Sequence, residues 1–180
     1  MVRLLLFIFF LLPFPQGNIE ESEPLPQFIL KKIQKEVAKQ YPASDDLETL
    51  VPALETEWTS PFLLKGRFFK INSADTSLGY AFYGVAPSRT DTFDYLLILD
   101  KNFILKKSKI LVYREDYGGE IASKRWLAQF YDQPLATQFK TGDNISGISG
   151  ATISVRSMTQ SINTVFDYIE THLISPTDAH

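Results

Sequence analysis

The sequence of 180 residues contains no cysteine, only two histidines and no excess of positive charge. Without cysteine the chain forms no disulfide and takes no lipoprotein anchor, so its hydrophobic core alone must stabilise the fold. The formal net charge of −3 disfavours nucleic acid as a partner, because that function needs a basic surface. His172 and His180 lie in the predicted terminal helix and tail. Neither has a plausible metal or triad partner, so we interpret both as surface residues and predict no metal site.

Long hydrophobic runs are also scarce, and the one at the start of the chain extends from Leu4 to Leu12. It follows the positive charge of Arg3 and ends at Pro13. It is too short for a membrane helix of about 20 apolar residues and is typical of a secretory signal peptide. A buried helix is the alternative, which the polar, proline-containing segment after it disfavours. We predict a signal peptide over 1–17 and an extracytoplasmic or periplasmic mature protein.

The remaining composition, 44% hydrophobic and 22% charged, is that of one folded domain. Residues 18–26 are acidic and contain proline, as expected of a linker. An N-terminal helical segment follows over 27–58: apolar residues recur at helical spacing from Phe28 to Tyr41, and 44–52 is predicted to form a turn or a short helix. The main domain is predicted over 59–175.

The hydrophobic period changes to two in the middle of the chain, which is typical of β-strands. Short polar connections between these stretches favour antiparallel neighbours and therefore a meander. The four predicted strands are Leu63 to Ile71, Leu78 to Ala86, Thr92 to Leu99 and Phe103 to Tyr113.

Helical spacing returns after the strands. Trp126, Leu127 and Phe130 mark one side of a short helix, and a longer apolar stripe from Val155 to Leu173 predicts a final amphipathic helix with polar residues on its other side. We therefore predict an α+β fold, in which an antiparallel meander packs with an N-terminal helix and a long C-terminal helix.

The chemistry of the chain is expected at the start of that last helix, in the tetrapeptide Ser149-Gly150-Ala151-Thr152. Unpaired N–H groups and the helix dipole make this position suitable for a phosphate group. Arg156 follows Thr152 by one helical turn, so its guanidinium could reach an anion attached there. The alternative is that Ser149 or Thr152 only caps the helix, which is the commonest role of such residues.

This motif, within SGISGATIS, resembles that of the FMN-binding domain family, which includes one component each of the sodium-translocating NADH:quinone reductase and of the Rnf complex. The resemblance implies that Thr152 bears FMN through a phosphoester bond, installed outside the cytoplasm by a flavin transferase with FAD as donor. Family members commonly have an aspartate three residues before the motif serine. Here Ser146 occupies that position, and Asp143 lies three residues earlier.

Aromatic residues near Gly118 are candidates to contact the flavin ring. The segment YGGEIASKRW resembles one that precedes the motif in secreted family members, and aromatic faces can stack on a planar heterocycle. Tyr113, Tyr117 and Trp126 are the candidates, with Tyr117 and Trp126 preferred; the alternative for each is a place in the core or at the sheet edge.

The resemblance implies an extracytoplasmic electron-transfer protein with covalent FMN and membrane-associated redox partners. An electron carrier or a subunit of a redox complex is favoured over a stand-alone enzyme, because the sequence offers no catalytic constellation outside the motif. The alternative function is a non-flavinylated binding or scaffold module with the same fold.

Overall fold

The computed structural model describes residues 24–50, 60–74 and 76–174. The predicted signal peptide and most of the predicted linker lie outside these residues, as do the end of the predicted helical segment and residue 175. None of the helices in the described part has the length and hydrophobicity that a membrane span requires.

Within the described residues, the chain forms a five-stranded antiparallel sheet in the order β1-β2-β3-β4-β5, with helices on both faces. The predicted α+β meander with an N-terminal and a long C-terminal helix is confirmed. The helices are α1 (Gln27–Gln40), α2 (Lys124–Leu127) and α3 (Thr152–Tyr168), and a π-helical turn, Ile169–Leu173, extends α3. The strands are β1 (Asp46–Thr49), β2 (Lys65–Ser73), β3 (Thr76–Pro87), β4 (Thr92–Asp100) and β5 (Leu105–Tyr113).

Strand β4 is buried on both faces of the sheet, because side chains alternate between faces along a strand. Tyr95 and Leu97 pack in the core beneath α3, whereas Leu96 and Ile98 pack in a second core beneath α1. A strand covered on both sides needs apolar residues at successive positions, which explains the run YLLIL in this segment.

Helix α1 covers the face opposite α3. Ile29, Ile33 and Val37 are buried against the sheet, and the carboxylate of Glu36 pairs with Lys107 of β5 at 2.9 Å. The predicted apolar spacing therefore corresponds to the buried face at these three residues, whereas Phe28, the first residue of the stripe, is 55% exposed.

The turn or short helix predicted for 44–52 is wrong for Asp46–Thr49, which form the edge strand β1. This strand pairs antiparallel with β2, with Leu47 opposite Ile71. Leu47 packs against the core beneath α1. Four residues with mostly polar side chains have too little periodicity to indicate a strand, and the open edge of β2 supplies the hydrogen bonds that stabilise it.

The apolar stripe of α3 is buried as predicted, but several of its polar residues, Ser157, Thr159 and Asn163 among them, are buried as well. Val155, Met158 and Ile162 are fully buried. The amide of Asn163 accepts a hydrogen bond from the N–H of Phe139 at 3.0 Å and donates one to its carbonyl at 2.9 Å. The polar residues of α3 thus bind the loop that leads to the motif.

Position 84 in β3 is occupied by glycine because the ring of Tyr95, on the neighbouring strand, packs against it. A Cβ at Gly84 would lie 2.4 Å from the Tyr95 ring, which is too close for any contact. We expect Gly84→Ala to lower the free energy of unfolding by about 1–3 kcal/mol through overpacking. Chemical denaturation should measure this loss, whereas Gly147→Ala, where nothing lies within 4 Å, should be nearly neutral; equal stability of both variants would contradict the packing.

Candidate functional site

The motif lies at the N-terminus of α3, where Thr152 is the first helical residue. Ala151 occupies the cap position, and no side chain caps the helix. Gly150 has a φ of +79°, a left-handed conformation that glycine adopts without strain. Thr152 is exposed, and among the described residues its hydroxyl has no hydrogen-bond partner. The capping role therefore does not apply to Thr152 or Ser149 in this structure.

The first turn of α3 presents unpaired backbone donors. The helical hydrogen bonds begin with the N–H of Val155, which donates to the carbonyl of Ala151 at 2.9 Å. The N–H groups of Thr152, Ile153 and Ser154 have no acceptor within the described part of the chain. These donors and the positive end of the helix dipole form a site for an anion.

A pocket of about 280 Å³ opens beside Thr152. Three segments far apart in sequence line it: the β3–β4 loop, the end of β5 with the residues after it, and the motif with the first turn of α3. The lining residues are Arg89, Tyr113, Glu115, Tyr117, Gly150, Ala151, Thr152, Ile153 and Ser154.

The turn at Gly118 packs directly against the motif. Gly118 has a φ of +78°, and a Cβ there would lie 2.6 Å from the Cβ of Ala151. The hydroxyl of Tyr113 is hydrogen-bonded to that of Ser154 at 3.1 Å. The end of β5 is thereby joined to the first turn of α3, and this contact fixes one wall of the pocket.

Of the three aromatic candidates, Tyr113 and Tyr117 line the pocket. Tyr117 is 82% exposed, and Ile153, which also lines the pocket, is 47% exposed. The pocket thus has two tyrosine rings available for a planar ligand.

Trp126, the other preferred aromatic candidate, lies in the core rather than in the pocket lining. Its side chain is only 6% exposed, packs edge-on against Phe130, and does not line the pocket. The indole N–H donates to the carbonyl of Ser146 at 2.8 Å, and the N–H of Ser146 donates to the Gln129 side chain at 2.8 Å. Trp126 therefore holds the loop before the motif rather than contacting the pocket.

Two further predicted residues lie outside the pocket lining. Ser149 and Arg156 are both exposed, and the arginine in the lining is Arg89. Asp143, the candidate substitute for the family aspartate, is exposed in the loop before the motif. Arg89 was missed because it lies in a hairpin loop far from the motif in sequence, and a single loop arginine gives no pattern.

Glu115 is the second charged residue of the pocket, and both of its carboxylate oxygens are bound by the β3–β4 loop. It accepts hydrogen bonds from the N–H and the hydroxyl of Thr90 at 2.7 and 2.8 Å, and from the N–H of Asp91 at 3.3 Å. The hydroxyl of Ser88 and these Thr90 donors lower the pKa of Glu115 to about 2. The carboxylate stays ionised at any physiological pH.

This lowered pKa predicts a defined acid dependence of stability. Because the folded pKa lies below the unfolded one, the contribution of Glu115 is complete above about pH 5, declines as the pH falls, and is lost near pH 2. The difference in unfolding free energy between wild type and Glu115→Gln should follow this course. Denaturation at several pH values measures it; a difference that stays constant down to pH 2 would contradict the assigned hydrogen bonds.

Comparison with known proteins places these residues in a recognised domain. Residues 91–167 match the family model of the FMN-binding domain, which confirms the resemblance inferred from the motif. This segment runs from the start of β4 nearly to the end of α3 and includes all the lining residues except Arg89. No curated protein matches. The crystal structure of Shewanella oneidensis NqrC is similar over 70% of this chain and 67% of that chain, with 14% identity and a TM-score of 0.43.

Proposed function

We propose that this chain, which contains an FMN-binding domain at residues 91–167, is an electron-transfer flavoprotein that holds FMN covalently at Thr152. The observation behind the proposal is the uncapped start of α3, where an exposed threonine hydroxyl with no hydrogen-bond partner in the described chain borders a pocket. A free hydroxyl at a helix N-terminus is both accessible to modification and close to donors for a phosphate.

The residues around Thr152 fit FMN on three counts. The unpaired N–H groups of the first α3 turn and the guanidinium of Arg89 suit a phosphate. The rings of Tyr113 and Tyr117 suit a flat heterocycle. The pocket volume of about 280 Å³ is close to the lower end, roughly 300 Å³, of typical ligand pockets. We therefore expect bound FMN to remain partly exposed.

The proposed attachment is a phosphoryl transfer. The hydroxyl oxygen of Thr152 forms a bond to the phosphorus of the FMN half of FAD, and the bond from that phosphorus to the bridging oxygen breaks. AMP leaves, and the hydroxyl proton passes to a base on the flavin transferase or to water. The chain gains the mass of FMN minus water, and no electrons are exchanged in this step.

When bound, FMN supplies an isoalloxazine ring that accepts and donates electrons. The chain retains the flavin and provides the residues that surround its ring. Outside the cytoplasm, where we propose that the mature protein works, a dissociable flavin would be lost by dilution, whereas a tether keeps its local concentration high. Tyr117 and Ile153 form an exposed rim to which a membrane-associated redox partner could bind.

The alternative, a non-flavinylated binding or scaffold module, would retain the motif as a helix cap. The cap position belongs to Ala151, and no side chain makes a cap hydrogen bond. The motif therefore does not support the scaffold alternative.

Coexpression with a flavin transferase tests the proposal. The purified wild-type protein should be yellow and its intact mass should exceed the polypeptide mass by FMN minus water. A transferase inactivated by mutation provides the control, which should yield colourless protein. Colourless wild type beside a transferase that modifies a known substrate would refute the proposed function.

A further inference from the structure

We infer that Arg89 is the cation that binds the flavin phosphate at Thr152, and that Glu115 positions the loop that presents it. This inference rests on the proposed function and assigns its phosphate recognition to a residue that the motif does not contain.

Arg89 lies in the loop between β3 and β4, is exposed, and borders the pocket. It is the only lysine or arginine among the described lining residues. Its guanidinium has no ion pair and no hydrogen bond within the part of the chain that the structure describes. An arginine that is free of carboxylates and borders a pocket is available for a ligand anion.

Glu115 fixes the residues next to Arg89. Its two oxygens accept hydrogen bonds from Thr90 and Asp91. The neighbouring Arg114 pairs with the buried carboxylate of Asp94 through two bonds of 3.0 Å and donates to the carbonyl of Thr92 at 3.1 Å. The loop is therefore fixed from Thr90 to Thr92, so that the Arg89 backbone stays at the pocket.

The same bonds direct both Glu115 oxygens to the β3–β4 loop. Although Glu115 is ionised and lines the pocket, it forms no ion pair with Arg89 in the described part of the chain. The positive end of α3 borders the same pocket. A phosphate at Thr152 would therefore have backbone N–H groups and a guanidinium at the same pocket, and a guanidinium can bind phosphate through two parallel N–H groups. Arg156 does not border the pocket.

Flavinylation kinetics test this assignment with a matched pair of variants. Arg89→Gln and Arg156→Gln each remove one exposed arginine, and neither should affect folding, since neither guanidinium has a partner in the described chain. With purified transferase and FAD, intact mass over time should show about tenfold slower flavin incorporation for Arg89→Gln, partial rescue by Arg89→Lys, and the wild-type rate for Arg156→Gln. Glu115→Gln should also slow incorporation, by a smaller factor.

The holoproteins provide a second readout that does not depend on the transferase. Phosphorus-31 NMR of the modified proteins should show a changed chemical shift for Arg89→Gln and an unchanged one for Arg156→Gln, because Arg89 borders the pocket and Arg156 does not. Equal rates and equal shifts for wild type and Arg89→Gln would overturn the inference while the proposed function stands. A larger effect of Arg156→Gln than of Arg89→Gln would also overturn the inference. A wild-type protein that is not modified would contradict both the inference and the proposed function.

Discussion

Thr152→Ala is expected to abolish covalent FMN and to leave the stability of the fold almost unchanged. The hydroxyl is the proposed attachment point, and alanine has none. Thr152 is exposed, and no side chain caps α3, so the free energy of unfolding should change by no more than about 0.5 kcal/mol. Intact mass measures the first effect and chemical denaturation the second.

Thr152→Ser is the matched control, because it keeps a hydroxyl at the same position. It should be modified to a measurable extent and be as stable as wild type. A loss of about 0.5–2 kcal/mol on Thr152→Ala, with flavin retained, would identify the residue as a helix cap and favour the scaffold alternative.

Gly118→Ala is expected to destabilise the fold and to impair flavin attachment together. A side chain at φ +78° costs about 1–2 kcal/mol. The new Cβ would lie 2.6 Å from that of Ala151, and relief of such a clash typically costs about 1–3 kcal/mol. Relief of the contact would move the turn away from the motif and displace Tyr117, so both denaturation and flavin incorporation should respond.

Gly119→Ala separates this contact from a general effect of losing glycine. Nothing lies within 4 Å of a Cβ at Gly119, and its φ is not in the left-handed range. This variant should resemble wild type in stability and in flavin content. If Gly118→Ala and Gly119→Ala behaved alike, the contact between the turn and Ala151 would not be what shapes the pocket.

The position of the motif could be predicted from the sequence because its signals are local. The stripe from Val155 to Leu173 defines a helix by spacing alone, and the glycine before it marks where the helix begins. Strands β2 to β5 could be predicted for the same reason, since alternation of side chains is a property of neighbouring residues. These features gave the fold class and placed Thr152 at a helix start.

The walls of the pocket could not be predicted in the same way, because they depend on which distant segments meet. Arg89 reaches the motif only through the pairing of β3 with β4 and β4 with β5. The strand β1 depends equally on the open edge of β2. A single residue in a loop has no period that would indicate its neighbours in space.

Trp126 shows that a local resemblance and a local spacing can indicate different roles for one residue. Its place near Gly118 suggested contact with a flavin, whereas its spacing of four residues from Phe130 is that of a helix face, and both side chains are buried together. The burial agrees with the helical spacing, because burying a large aromatic side chain stabilises the fold substantially. Tyr117, in a turn without such spacing, is the aromatic residue that remains exposed at the pocket.

The most direct test of covalent attachment at Thr152 is tandem mass spectrometry of peptides from the protein purified after coexpression with a flavin transferase. We expect the peptide containing Ser149 to Thr152 to be heavier by FMN minus water, with fragment ions that place the added mass on Thr152. An unmodified peptide under conditions that flavinylate a known substrate, or the added mass on another residue, would contradict it.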